Sequence, residues 1–284
     1  MLEKHLEKVL RDRWRTYRRQ MRKCRKHPSE KTVHQLRVAT RKLMAQFVLL
    51  ECLLSDPVLA RARRLLKRRL ETLGPLRDLQ VQLLCLERKQ TAYPELGYLC
   101  DALKKQERSV MEKVGREIKD WKSKKLEKWI MAAADDLSVS ARRNAQDPSA
   151  SKLALRHASE AFQRVIERRE AIQLDDLSTI HRTRVAFKRF RYMVESLPQS
   201  LTGLTDLQLR AMVQYQRRMG RIQDLEVLKG LLTSSARRRG WKGEGLEAFV
   251  RHVDQQLSRA VTTFMRSADA LSGFWSRSAE RVLP

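Results

Sequence analysis

The residue types most able to do chemistry fall in two stretches that are nearly the same stretch. Residues 33–43 read VHQLRVATRKL and residues 180–190 read IHRTRVAFKRF. His34, Arg37, Arg41 and Lys42 recur as His181, Arg184, Lys188 and Arg189, and Arg191 adds a further base where the first copy has Met44. At about 100° per residue on a helix, the histidine and most of the bases share one side in each copy. Leu36, Ala39, Leu43, Phe47 and Leu50 take the opposite side, as do Ala186, Phe190, Val194 and Leu197 in the second copy. Such a face suits phosphate. Arginine offers a rigid fork of donors matched to phosphate oxygens, and lysine adds a mobile charge. A neutral imidazole donates one hydrogen bond and a protonated one donates two. Neighbouring arginines oppose that protonation until an anion arrives, so affinity is expected to rise as pH falls toward about 6.

Other rows of bases repeat the design. Arg11, Arg15, Arg18, Arg22 and Arg25 alternate steps of four and three, a stripe about 21 Å long on a helix. Beside it run Leu10, Trp14, Tyr17, Met21 and Cys24. Arg61, Arg64 and Arg68 form a second row, His157, Arg164 and Arg168 a sparser third, and Arg210 and Arg217 add two more positions. Like charges at this spacing destabilise a helix. Acids are nearly absent from the rows themselves, so they read as faces kept for an anionic ligand.

The elements that must carry these faces are helices throughout. Leu, Arg, Lys, Glu, Ala and Gln dominate, whereas the 10 glycines and 7 prolines of the 284 residues sit mainly at breaks. No alternating strand pattern appears. Ser29 and Asp176 stand at equivalent places ahead of the two histidine helices and are good N-cap types. Downstream, LGPLRDLQVQLL (73–84) resembles MGRIQDLEVLKG (219–230), pairing Gly74 with Gly220, Asp78 with Asp224 and Leu79 with Leu225. Two motifs in the same order indicate an internal duplication. The expected fold is all-α: two pseudo-symmetric four-helix bundles, residues 1–145 and 146–284, divided at the linker NAQDPSAS (144–151). Asp78 and Asp224, each four residues past a glycine, are expected to cap or brace a helix junction.

Charge bounds the partners. Lys and Arg number 60 against 33 Asp and Glu, a formal net charge of +27, which implies a polyanionic partner. No apolar run approaches the roughly 18–20 residues of a membrane span, and the N-terminus lacks a signal-peptide pattern; a cytoplasmic protein is expected. Cys24, Cys52, Cys85 and Cys100 form no CxxC pair and read as buried thiols. Aromatics are 6% of the chain. Trp14, Tyr17, Phe47, Phe190 and Trp129 fall on apolar stripes, which argues against the exposed stacking platform of a single-strand nucleic-acid binder. Asp135 and Asp136 read as a polar helix face, and Asp175 and Asp176 as a helix start. With no phosphate-binding loop, zincin or nucleophile-elbow motif, binding outranks catalysis. No metal or other cofactor is expected.

The duplicated His-x-x-Arg-Val-Ala helix, with an LG-x-x-x-D-L motif or its close variant after each copy, resembles the CHAD family, the conserved histidine α-helical domain. The resemblance covers essentially the whole chain. It implies two helical bundles about a pseudo-twofold axis, a basic channel, and binding of inorganic polyphosphate with association to polyphosphate granules. Carried over by position, it implies His34, Arg37, Arg41, Lys42, His181, Arg184, Lys188, Arg189 and Arg191 as the polyphosphate ligands; the remaining rows of bases are an extension from spacing. Some family members carry a triphosphatase domain, whose ExExK signature is missing here. Three alternatives stay open: a nucleic-acid or ribosome-associated protein, with nucleic acid at least a non-specific competitor; an enzyme acting on polyphosphate or a nucleotide; and a scaffold lying on anionic lipid.

Overall fold

The computed structural model describes residues 2–54, 56–143, 147–239 and 244–275, without the side chains of 235–239 and 244. Residues 144–146, where the sequence divides the chain, lie outside the described residues. Asp147 and Pro148 beyond them are not helical. Every regular element among the described residues is a helix. The first half supplies α1 (Leu2–Lys26), α2 (Glu30–Leu53), α3 (Pro57–Thr72), α4 (Gly74–Glu87), α5 (Leu96–Asp120) and α6 (Lys124–Arg143). The second supplies α7 (Ser149–Glu170), α8 (Ser178–Val194), the single turn α9 (Gln199–Thr202), α10 (Asp206–Arg239), α11 (Glu244–Arg266) and a 3₁₀ segment, Ala268–Phe274.

Local chemistry sets these boundaries. Ser29 caps α2 by accepting the Thr32 amide at 3.4 Å, as its residue type predicts. Asp176 accepts the Ser178 amide at 3.0 Å, one position ahead of the N-cap of α8, Leu177. The two glycine motifs fold differently. Gly74 opens α4, because Pro75 lacks an amide hydrogen and fits a first turn but not a helix interior. Gly220 is followed by Arg221, so α10 runs straight through it for 34 residues. Where the first half has α3 and α4, the second has one helix, an element order compatible with the duplication.

α1, α2, α3 and α6 pack as one four-helix set, while α7 and α8 pack together with α10. α2 and α8 then pack against each other. One apolar cluster consequently runs from Leu2 to Trp275, through Leu10, Trp14, Tyr17, Phe47, Phe187, Phe190 and Tyr215. A second joins Leu83 and Leu86 of α4 and Leu99 of α5 to Leu228, Leu232 and Phe249 of α10 and α11. Trp14, Tyr17, Phe47 and Phe190 are core residues, as their stripes predict, and Trp129 packs half-buried against the core. Cys24 and Cys100 are buried, Cys52 and Cys85 partly so, and all four are free thiols. Burial raises the Cys24 thiol to about 11 and Cys52 to about 12.

Candidate functional site

The contact between α2 and α8 brings the two copies of the histidine phrase together. α4 and α10, carrying the two glycine motifs, pack alongside them and against one another. Both histidines reach the surface with their rings partly enclosed, whereas Leu36, Leu43, Phe47, Phe190 and Val194 on the opposite faces are buried, in agreement with the helical wheel. Burial, then the charge of Arg77, lowers the His34 pKa; burial, then Arg184, lowers that of His181. Both imidazoles are therefore held neutral at neutral pH.

Arg37, Arg41, Arg184 and Lys188 fill the seam between the two histidines. Arg37 donates from Nη1 to the Leu70 carbonyl at 2.8 Å, and burial pushes its pKa down to about 10, which leaves it charged at neutral pH. Arg41 and Arg184 are also lowered, by burial first; Arg184 acts on Arg41 across the junction of the halves. The Nε of Arg184 is buried without a hydrogen-bond partner. Lys188 is 9% exposed. Burial, then the charges of Arg41, Arg184, Arg37 and Arg191, brings its pKa to about 6. No carboxylate among the described residues pairs with it. Lys188 is thus a desolvated base among like charges, a cost that an anion would relieve.

The two glycines of the repeated motif have the same kind of neighbour. A Cβ on Gly220 would stand 3.4 Å from Arg184 Nε, and one on Gly74 3.9 Å from Arg37 Nη1. Each glycine therefore faces the arginine of its own copy and leaves it room. Asp78 and Asp224 do not cap helices: the N-cap of α4 is Leu73, and Asp224 lies inside α10. Asp78 instead acts on Arg37 and Arg41, and Asp224 on Arg184, as electrostatic braces.

The remaining bases of the two phrases are occupied or turned elsewhere. Arg191, 7% exposed, pairs with Glu195, donates to Gln216 at 3.0 Å and stacks over Tyr192 at 4.5 Å. Lys42 pairs with the same Glu195 at 3.1 Å. Arg189 is exposed beside Arg164, Arg63 and Glu51, away from the seam.

The stripe on α1 departs from expectation, because its acids come from beyond the stripe. Arg11 bonds Glu7 at 2.8 Å and Asp135 of α6 at 3.2 Å, and Arg15 pairs with Asp12. Arg18 reaches Glu127 of α6, and Arg25 donates to the Ile118 and Trp121 carbonyls. Arg22 alone of the five is exposed with no ion pair among the described residues. Spacing within one helix cannot show what its neighbour brings. Arg61, Arg64 and Arg68 are exposed on α3, and Arg210 and Arg217 on α10. On α7, His157 and Arg164 share Glu160, at 3.6 and 3.7 Å, while Arg168 is exposed. Asp135 and Asp136 are exposed on α6, as a polar face should be.

Two participants have no counterpart in the repeated phrase. Arg77, on α4, pairs with Glu30 and acts on His34, Arg37 and Arg41. Its place in the second glycine motif is taken by Gln223, beside His181, so motif comparison hides it. Arg13 donates to the Lys42 carbonyl at 2.8 Å and the Tyr192 carbonyl at 3.2 Å, fastening α1 to both histidine helices. It sits on the flank of α1 opposite the regular stripe.

Among the described residues, no group of three His, Cys, Asp or Glu side chains could hold a metal ion, and no helix is long and apolar enough to cross a membrane. A sequence model of the CHAD domain matches residues 2–233. No curated protein matches the chain. The crystal structure of the CHAD domain from the plant Ricinus communis is similar, with a TM-score of 0.65 and 22% identity, over 100% of this chain and 93% of that one. PptA from Streptomyces chartreusis aligns with a TM-score of 0.63 and 18% identity, over 94% of this chain and 98% of that one. At these identities the likeness is one of fold.

Proposed function

Because the chain belongs to the CHAD domain family, we propose that it binds inorganic polyphosphate, without catalysis, in the seam between α2 and α8. One observation carries the reading: Arg37, Arg41, Arg184 and Lys188 converge from two helices with too little carboxylate to balance them. A linear polymer with one charge per phosphate supplies that balance along the seam. Arginine forks take phosphate oxygens, the neutral histidines donate single hydrogen bonds at the rim, and Asp78 and Asp224 hold the guanidinium groups in place. The exposed bases of α1, α3, α7 and α10 attract the polymer at longer range rather than ligate it. Released counterions contribute to affinity, which makes binding steeply salt-dependent. The proposed setting is the cytoplasm, at polyphosphate granules.

The test compares two variants. His34→Ala, Arg37→Ala, His181→Ala and Arg184→Ala combined should lower affinity for long-chain polyphosphate at least about 100-fold, at the scale of several lost charge-assisted hydrogen bonds, with helix content by circular dichroism unchanged. Arg19→Ala, Lys23→Ala and Lys26→Ala together remove three exposed cations from the outer face of α1 and should cost far less. Equal losses in the two variants would reduce the binding to general charge attraction.

A further inference from the structure

Lys188 differs from every other base in the seam. The residue is 9% exposed, it has no carboxylate partner among the described residues, and the charges of four guanidinium groups act on it. From α2 come Arg37 and Arg41; from its own helix come Arg184 and Arg191. α4 and α10 contribute Arg77, Asp78 and Asp224, whose charges fall on those arginines. Glu195, on the same stretch of chain as Arg191, is engaged by Arg191 and Lys42. α7 packs on the opposite, apolar side of α8, where Phe162 meets Phe190. At neutral pH an ammonium group is disfavoured in such a place unless an anion joins it.

We infer that anion binding at this seam is coupled to proton uptake by Lys188, which makes this lysine the residue that sets the pH dependence of affinity. The inference rests on the proposed polyphosphate binding and adds its regulation. In the free protein the side chain is a neutral amine. When phosphates enter, their charge offsets the surrounding guanidinium groups, and the amine takes one proton from the solvent to become an ammonium that pairs with the polymer. Protonation and binding thus favour each other by the same factor. His34 and His181 work in the same direction but only at lower pH: they stay neutral in the complex well above neutrality, where Lys188 still titrates.

Calorimetric titration of the intact chain with long-chain inorganic polyphosphate, near pH 8 and in two buffers of different ionisation enthalpy, reads the coupling directly. The inner phosphates of such a polymer remain ionised there and contribute no protons. The expected result is uptake of about one proton per seam, and an affinity that falls about tenfold per pH unit between roughly 7 and 9. Lys188→Arg should bind with that slope and uptake abolished; Lys188→Met, which fits the same space without charge, should bind more weakly and also take up no proton. His34→Gln with His181→Gln should keep the uptake near pH 8. Wild-type binding without proton uptake, or uptake that persists in both Lys188 variants, overturns the inference and leaves polyphosphate binding standing. No binding of polyphosphate by the wild type would remove both.

Discussion

Lys188 also leaves a mark on the stability of the free protein. Unfolded, it keeps its proton up to its ordinary value of 10.5; folded, it keeps it only below about 6. Between these values the unfolded chain binds more protons, so unfolding free energy rises with pH. Below about 6 both states are charged, and the full cost of enclosing an ammonium among guanidinium groups is present. Lys188→Met should therefore raise the melting temperature most at and below pH 6, with the gain shrinking as pH approaches 10.5. Thermal melts across that range check it; a gain that does not vary with pH would mean the lysine is charged throughout. The phrase in the sequence marked Lys188 as one cation of a face, but its burial depends on α2 lying across α8. Periodicity could place the histidines and the apolar stripes correctly because each is a property of one helix. Arg77 and Arg13 escaped for the complementary reason: one differs between the two copies, and the other stands off the regular stripe.

The glycine motif shows how an element can be read correctly and explained only by its partner. Gly74 and Gly220 recur at equivalent positions, yet one begins a helix and the other lies inside one, so helix breaking is not their shared role. Their common feature is an arginine opposite. Gly220→Ala places its Cβ at ordinary contact distance, 3.4 Å from Arg184 Nε, and should stabilise the helix interior by up to about 1 kcal/mol. Gly220→Leu needs the space that the guanidinium fills. It should weaken polyphosphate binding about tenfold or more, the loss of one charge-assisted hydrogen bond, while far-ultraviolet circular dichroism keeps its helical form. Equal affinity of the Ala and Leu variants would show that Arg184 does not need this seat. The α1 stripe teaches the opposite lesson. Its regular spacing is genuine, but α6 supplies Asp135 and Glu127 against Arg11 and Arg18, so the row carries acids that its own spacing does not show.

For the molecule as a whole, the all-α class and the presence of two related basic helices were legible because helix propensity, scarce Gly and Pro, and the repeated motifs all agree. No pattern within a single helix shows that one apolar cluster joins both halves; that α2 and α8 meet is what the pseudo-twofold relation of the bundles implies for the two histidine helices. That meeting converts two separate basic faces into one seam. A net charge of +27 ensures attraction to any polyanion, so affinity alone does not identify the ligand. Selectivity does. In the proposed account the seam takes phosphates, and among the described residues Trp14, Tyr17, Phe47 and Phe190 are all buried and offer no platform on which bases could stack. The most direct measurement is competition at about 150 mM salt, where non-specific attraction is weakened, between long-chain polyphosphate and single- or double-stranded nucleic acid of equal phosphate content. Polyphosphate should displace either nucleic acid from the wild-type chain at substoichiometric phosphate ratios, and lose that advantage in the variant lacking His34, Arg37, His181 and Arg184. Equal displacement by all three polymers, or an advantage that survives in the variant, would contradict the account.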